Sequence, residues 1–256
     1  MGTTKATARA RPVLRPGLHV VRRDDRHLQL GLDDPDRVVL RDQPGLLEAL
    51  RALPHLPRDP ALRQVVDSLT EGGWLVDDGA PRPVARPPLS LTVDAPLVDS
   101  VARACRGAGL EVAAGTGRGL TLVATVGEPR RALSDDLMQR DVPHLWLAAF
   151  PGSVRVGPFV EPGRSACLRC LDAHLGERDP RRATVLYQLE RVPAAPATDP
   201  EPCLVQLGVA WAVRDAVRLL DGSPASLRSA TVTVSESLEV SRRDWLRHPH
   251  CGCAWG

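Results

Sequence analysis

Lysine, aromatic residues and long apolar runs are scarce in this 256-residue chain. Lys5 is the single lysine, so arginine supplies nearly all of the positive charge, and the formal net charge is only +2. This balance gives no electrostatic reason to expect a nucleic acid or a membrane surface as a partner. Aromatic residues make up 3% of the chain. No stretch approaches the roughly 18 consecutive apolar residues that a transmembrane helix needs.

Signals for export or lipid attachment are also missing. Residues 1–11, MGTTKATARAR, are basic but lead into no apolar h-region, which a secretory signal requires. Ala6 stands where a myristoylation signal needs Ser or Thr. We therefore predict a disordered tail over residues 1–11 and a cytoplasmic protein whose six cysteines stay reduced. Reduced cysteines favour metal binding over disulfides.

The chain divides into two segments that differ in their pattern of predicted strands and helices. Residues 79–88, GAPRPVARPP, are typical of a proline-rich linker, so we predict one domain at 12–78 and a second at 89–256. In the first domain, short alternating strands precede two amphipathic helices at 43–53 and 59–73 and a closing strand. This order predicts a winged helix-turn-helix.

DNA binding is the first hypothesis for a winged helix, and the charge of this one argues against it. Between residues 59 and 78 a single arginine stands against five acidic residues, so DNA phosphates would be repelled. A purely structural domain is one alternative. We favour peptide binding, in which an extended peptide adds to an exposed third strand beside an apolar helix.

The second domain alternates strands and helices. Strands at 89–93, 120–126 and 143–150 are separated by helical patterns, which predicts an α/β fold with a parallel, Rossmann-like sheet. The turn after its first strand, VDAP (93–96), has no glycine and carries Asp94, so no nucleotide is expected. A later helix at 203–220 is apolar around nearly its whole circumference, which indicates a core helix or a subunit interface.

Four of the six cysteines form two close pairs. Cys167 and Cys170 make a CxxC motif, and Cys251 and Cys253 make a CxC motif near the C-terminus. Two thiolate pairs brought together by the fold provide the four tetrahedral ligands of a structural zinc ion. A redox role for the CxxC motif and unligated thiols are the alternatives.

Two histidines lie beside the CxC motif. His248 and His250 are candidate ligands, but four thiolates leave no position for them. A zinc ion with four protein ligands does not activate water. The expected role of the ion is therefore to hold the C-terminus to the middle of the chain.

Three stretches carry a family resemblance. They are VGPFVEPGRSACLRCLDAHLGERDP (156–180), VLYQL (185–189) and RRDWLRHPHCGCAW (242–255). Together they resemble the ThiF-like leader-peptide-binding partner proteins of thiazole/oxazole-modified peptide biosynthesis, the bacteriocin-biosynthesis cyclodehydratase domain family. These proteins act with a YcaO-type cyclodehydratase.

The resemblance implies an accessory role. The partner would perform ATP-dependent cyclisation of Cys, Ser or Thr in a ribosomally made precursor, while this chain captures the leader and presents the core peptide. It further implies an N-terminal winged helix-turn-helix-like peptide-recognition domain and a C-terminal ThiF-type domain with zinc on Cys167, Cys170, Cys251 and Cys253. A ThiF-like adenylating enzyme is the alternative function, and a DNA-binding zinc protein is a third.

Leader capture can be assigned to elements of the first domain. The predicted peptide-binding residues are Val38, Val39 and Leu40 on the third strand and Leu62, Val65, Val66 and Leu69 on the apolar helix face. By analogy with ThiF-like proteins, we also predict a homodimer.

Overall fold

The computed structural model describes residues 11–78, 86–115, 117, 119–192 and 200–254. Most of the predicted tail (1–10) and of the predicted linker (79–85) lies outside the described residues. Contacts between residues divide the chain into two units, Met1–Val84 and Ala85–Gly256, called here the N-terminal and C-terminal units. Each unit has a hydrophobic core of its own.

Two small sheets and two helices form the N-terminal unit. Its elements are β1 (Pro12–Leu14), β2 (Val20–Asp24), β3 (His27–Leu30), β4 (Val38–Arg41), α1 (Leu46–Arg51), α2 (Pro60–Glu71) and β5 (Leu75–Asp77). Strands β2, β3 and β4 form an antiparallel sheet in that order, and β1 pairs antiparallel with β5. The predicted closing strand therefore pairs with β1, a three-residue strand too short to show a sequence periodicity.

Helix α2 begins at a local sequence signal and is held by its apolar face. The side chain of Asp59 accepts a hydrogen bond from the Ala61 amide, and Pro60 occupies the first turn, where no amide partner is needed. The buried side chains of the core around it are Val20, Leu28, Leu30, Leu46, Leu47, Leu50, Leu62, Val66, Leu69 and Leu75.

A seven-stranded mixed sheet is the centre of the C-terminal unit. Its elements are β6 (Leu89–Val93), α3 (Val98–Gly107), β7 (Val112–Ala114), β8 (Thr121–Val126), α4 (Arg131–Gln139), β9 (His144–Phe150), β10 (Ser153–Val160), α5 (Leu168–Gly176), α6 (Arg182–Leu189), α7 (Pro202–Leu220), β11 (Ala230–Ser235) and β12 (Val240–Asp244). The strand order is β12-β11-β10-β9-β8-β6-β7. The predicted parallel arrangement is present in β7, β6, β8 and β9, but β10, β11 and β12 pair antiparallel. The sheet is therefore mixed and not wholly parallel.

Strand β10 was not expected, because glycine and proline lie inside it. The register shifts between Val156 and Phe159, so Pro158 sits at an irregularity where a missing amide donor is tolerated. Gly157 has a φ of 91°, and a Cβ at this position would collide with the carbonyl oxygen of Ala230. Only glycine fits there.

Helix α7 covers the sheet and is the apolar helix identified in the sequence. It packs on β9 and β10 and contributes buried residues from Leu204 to Ala216. Gly208 permits this close approach, because a Cβ there would overlap Val154 and lie 2.9 Å from a methyl carbon of Leu147. Neither α7 nor any other helix in the described part of the chain is long and apolar enough to cross a membrane.

The replacement Gly208→Ala tests this packing. The added methyl group would overpack the helix–sheet contact, and we expect it to lower the free energy of unfolding by about 1–3 kcal/mol. Gly107→Ala is the matched control, because a Cβ at the end of α3 meets no atom within 4 Å, and Ala there should stabilise by up to about 1 kcal/mol. Urea unfolding followed by circular dichroism measures both variants. Equal free energies of unfolding for the two variants would contradict the close approach of α7 to the sheet.

Candidate functional site

Helix α5 carries two of the four predicted zinc ligands. Cys167 is the extended residue immediately before the helix, and Cys170 lies in its first turn. The preceding loop is fixed by two hydroxyl groups. The Ser165 hydroxyl accepts a hydrogen bond from a backbone amide at 2.7 Å, and the Ser229 hydroxyl accepts one from another backbone amide at 2.9 Å. These bonds hold the loop that leads into Cys167 and α5.

Partly buried ion pairs hold α5 against α4. The guanidinium of Arg131 donates to both carboxylate oxygens of Asp172 at 2.7 and 2.8 Å, and Arg182 donates to the same carboxylate at 3.0 Å. Burial alone would raise the pKa of Asp172, but these hydrogen bonds outweigh it and keep the pKa below its ordinary value. Asp172 therefore connects α5 to α4 through Arg131 and to α6 through Arg182.

The C-terminal segment brings the other two cysteines to the same place. The Sγ–Sγ distance is 3.8 Å between Cys167 and Cys170, 3.6 Å between Cys167 and Cys251, and 3.3 Å between Cys170 and Cys253. All four sulfurs lie within 4.8 Å of one another. Three of the residues are buried and Cys253 is half-buried. The fold thus assembles the predicted four-cysteine group.

The sulfur geometry fits a tetrahedral metal ion. Zn–S bonds of about 2.3 Å would separate the sulfurs by about 3.8 Å. The hydrogen bond between Cys167 and Cys170 raises the pKa of Cys167 and lowers that of Cys170, whereas burial raises the pKa of Cys253. Four thiolates in so small a volume repel one another, so their joint ionisation needs a cation. A four-coordinate ion here would be structural, since no position is left for water.

The histidines beside the CxC motif have other surroundings. His248 is buried, and its Nε2 lies 2.9 Å from Oε1 of Glu177. His250 is exposed. Earlier in the same segment, the indole Nε1 of Trp245 donates to the hydroxyl of Thr231 at 2.9 Å and anchors the segment to β11.

Strand β4 is an edge of the three-stranded sheet. It pairs with β3 on one side, and no strand within the described residues pairs with the other. The amide of Asp42 donates to the carbonyl that precedes β3 at 2.7 Å, and in this register Leu40 and Val38 also face β3. The backbone groups of Val39 and Arg41 therefore point to the open side.

The predicted peptide-binding side chains differ in accessibility. Val39 is 43% exposed, and Val38, Leu40 and Val65 are partly buried. The remaining three lie in the core with 8%, 1% and 3% exposure: Leu62, Val66 and Leu69. These three side chains pack in the core that holds α2 in place. Of the predicted peptide-binding residues, only Val38, Val39, Leu40 and Val65 therefore have side-chain surface outside the core.

A cavity of about 730 Å³ lies outside the carboxyl ends of β6 and β8. The strand order reverses between these strands, which is where open α/β sheets bind ligands. The carboxylate of Asp94 accepts the Val126 amide at 2.8 Å in this crevice. A negatively charged group thus occupies the region where a nucleotide-binding turn would present glycine amides.

Comparisons with known proteins identify the fold. No family model matches the sequence, and no curated protein matches it. The solved structure of the heterocyclase TruD matches with a TM-score of 0.74 and 20% identity, covering 96% of this chain and 43% of that chain. A heterocyclase in complex with substrate and cofactor matches with a TM-score of 0.70 and 19% identity, covering 96% and 39%. This chain spans about two-fifths of the length of these heterocyclases.

Two proteins from E. coli share the fold over nearly their full length. MccB matches with a TM-score of 0.63 and 8% identity, covering 95% of this chain and 96% of its own. A chain of the microcin synthetase McbBCD complex matches with a TM-score of 0.50 and 14% identity, covering 94% and 99%. At these identities the matches establish the fold, which this chain shares with heterocyclases and microcin synthetase components.

Sequence reasoning missed the residues that position the cysteines. Arg131 and Asp172 are 41 positions apart, and a buried ion pair between distant residues leaves no local pattern. For the same reason, no sequence pattern predicted the contact between Glu177 and His248. Ser165 does not cap α5, because its hydroxyl accepts the Glu161 amide four residues upstream in the loop, so no helix-cap pattern signals it.

The four-cysteine group predicts metal binding. We expect purified protein to hold one tetrahedral divalent ion per chain. Cys170→Ser removes a buried sulfur and should lose most of the metal, whereas Cys203→Ser replaces an exposed cysteine and should retain it. Elemental analysis after dialysis measures the metal-to-protein ratio. Equal metal content in the two variants would contradict this assignment.

Proposed function

We propose that this chain binds the leader segment of a ribosomally made precursor peptide and delivers it to a YcaO-type cyclodehydratase for azoline or azole formation. The observation that carries the proposal is the open edge of β4, where the backbone groups of Val39 and Arg41 have no strand partner among the described residues. The chain would act as an accessory subunit, and the partner would perform the chemistry.

The edge of β4 offers both affinity and selectivity. An extended leader can pair with Val39 and Arg41 as an additional strand, and its backbone hydrogen bonds need no particular sequence. Its alternate side chains would lie beside Val38, Leu40 and Val65, which are apolar and partly buried. Selectivity would come from these side-chain contacts.

Capture of this kind works by proximity. A micromolar leader complex corresponds to about 8 kcal/mol of binding free energy. Tethering then raises the effective concentration of the core peptide at the partner's active site to about the millimolar range. Specificity would lie in the leader, so the core sequence can vary.

In this proposal the cyclodehydratase chemistry belongs to the partner, as the resemblance to the ThiF-like partner proteins implies. We also infer that the four-cysteine group holds structural zinc. The proposed homodimer does not depend on α7, because most of its apolar side chains lie in the core.

A second candidate function is carboxylate adenylation, and the crevice between β6 and β8 is the observation that favours it. MccB shares the fold and has been solved with ATP. Asp94 and the absence of glycine in the VDAP turn oppose this candidate, because both disfavour phosphate at that position. Peptide delivery therefore remains the better-supported function.

Val39→Pro tests leader capture. Proline removes the amide that points to the open side of β4 but leaves the bonds of Val38 and Leu40 to β3. We expect binding of a fluorescent peptide, carrying the leader of the neighbouring precursor gene, to weaken at least about tenfold, since it loses a main-chain hydrogen bond and strand geometry. Fluorescence anisotropy measures the affinity.

Val39→Ala is the matched control, because it keeps the amide and shortens an exposed side chain. Its affinity should stay within a few-fold of the parent protein. If the proline variant and the parent protein bind the leader with equal affinity, the leader does not bind at β4. No leader binding by the parent protein, together with ATP–pyrophosphate exchange, would favour the adenylating enzyme.

A further inference from the structure

The C-terminal segment contacts α5 at both ends of the helix. At the beginning of the helix, Cys251 and Cys253 meet Cys167 and Cys170. Beyond the last turn, His248 meets Glu177, the residue that follows the helix. The segment therefore runs alongside α5, with the sulfur group at one end and a histidine–glutamate contact at the other.

His248 is held on several sides. Its Nε2 lies 2.9 Å from Oε1 of Glu177, its Nδ1 accepts the backbone amide of His250 at 3.2 Å, and its carbonyl accepts the amide of Cys251 at 3.0 Å. His174 packs edge-on against the same ring, with the ring centroids 4.7 Å apart. One buried side chain thus orders the turn that leads directly into the CxC motif.

His174, Glu177 and His248 lie close enough together to raise the question of a second metal site. The hydrogen bonds argue against one. Because Nδ1 of His248 accepts an amide, Nε2 carries the proton and donates it to Glu177. This nitrogen has no free lone pair for a metal. His174 also donates through Nε2, to the carbonyl of Leu246 at 2.9 Å.

We propose that Glu177 and His248 are positioning residues for the four-cysteine metal site. This inference rests on the proposed metal binding by the cysteines. The Glu177–His248 hydrogen bond would fix the terminal segment along α5 before the metal binds, so that Cys251 and Cys253 face Cys167 and Cys170. Hydrogen-bonded groups around a metal site commonly have this orienting effect.

Glu177→Ala tests the proposal. The Glu177 side chain is 64% exposed, so its truncation should not prevent folding. We expect zinc affinity to fall about 10- to 100-fold, as is usual for loss of an orienting partner. Competition with a chelating dye gives the affinity, and the cobalt-loaded protein should keep the absorption spectrum of four-thiolate coordination.

Two further variants separate positioning from a general effect on the surface. Glu177→Gln keeps a carbonyl oxygen that can accept the His248 proton, and it should restore zinc affinity to within a few-fold of the parent protein. His250→Ala removes an exposed ring next to Cys251 but keeps the amide that bonds to His248, and it should bind zinc like the parent protein.

Three results would overturn the proposal. They are an unchanged zinc affinity in Glu177→Ala, no rescue by Glu177→Gln, and loss of a second metal equivalent in Glu177→Ala, which would make the trio itself a metal site. A parent protein that binds no metal would instead refute the four-cysteine site.

Discussion

The contact between the C-terminal segment and α5 lies in the core that covers one face of the large sheet. Four sulfur atoms from segments far apart in sequence lie within 4.8 Å of one another. Three of the cysteines belong to the same apolar cluster as Trp146 of β9 and Leu137 of α4. A bound ion would therefore act as a cross-link inside a packed core, and its binding energy would add to the stability of the folded unit.

Recognition in the N-terminal unit would depend on a different kind of group. The open side of β4 presents backbone donors and acceptors, which recognise an extended chain whatever its side chains are. Unpaired sheet edges are usually protected because they invite aggregation. The proposed peptide ligand would cover such an edge and the half-buried apolar residues beside it. The acidic character of residues 59–78 disfavours nucleic acid as the alternative.

Local signals predicted the elements that depend on local physics. Helix α2 lies inside the predicted range, because an aspartate cap and a glycine stop act on neighbouring residues. Strand β10 was missed, because glycine and proline are rare in strands, and here Pro158 lies at a register shift against β9 and Gly157 lies close to Ala230 of β11. Strand β12 was missed for a related reason: it is a polar, exposed edge strand with no apolar alternation.

The sequence by itself determined which residues are apolar, where α2 begins, and that two cysteine pairs were available for one tetrahedral site. The tertiary structure alone decided that Leu62, Val66 and Leu69 are core residues, that Val39 faces an open edge, and that His248 meets Glu177. The physical reason is the range of the interactions. Periodicity reports that a helix has an apolar face, but whether a core or a ligand covers that face depends on residues distant in the chain.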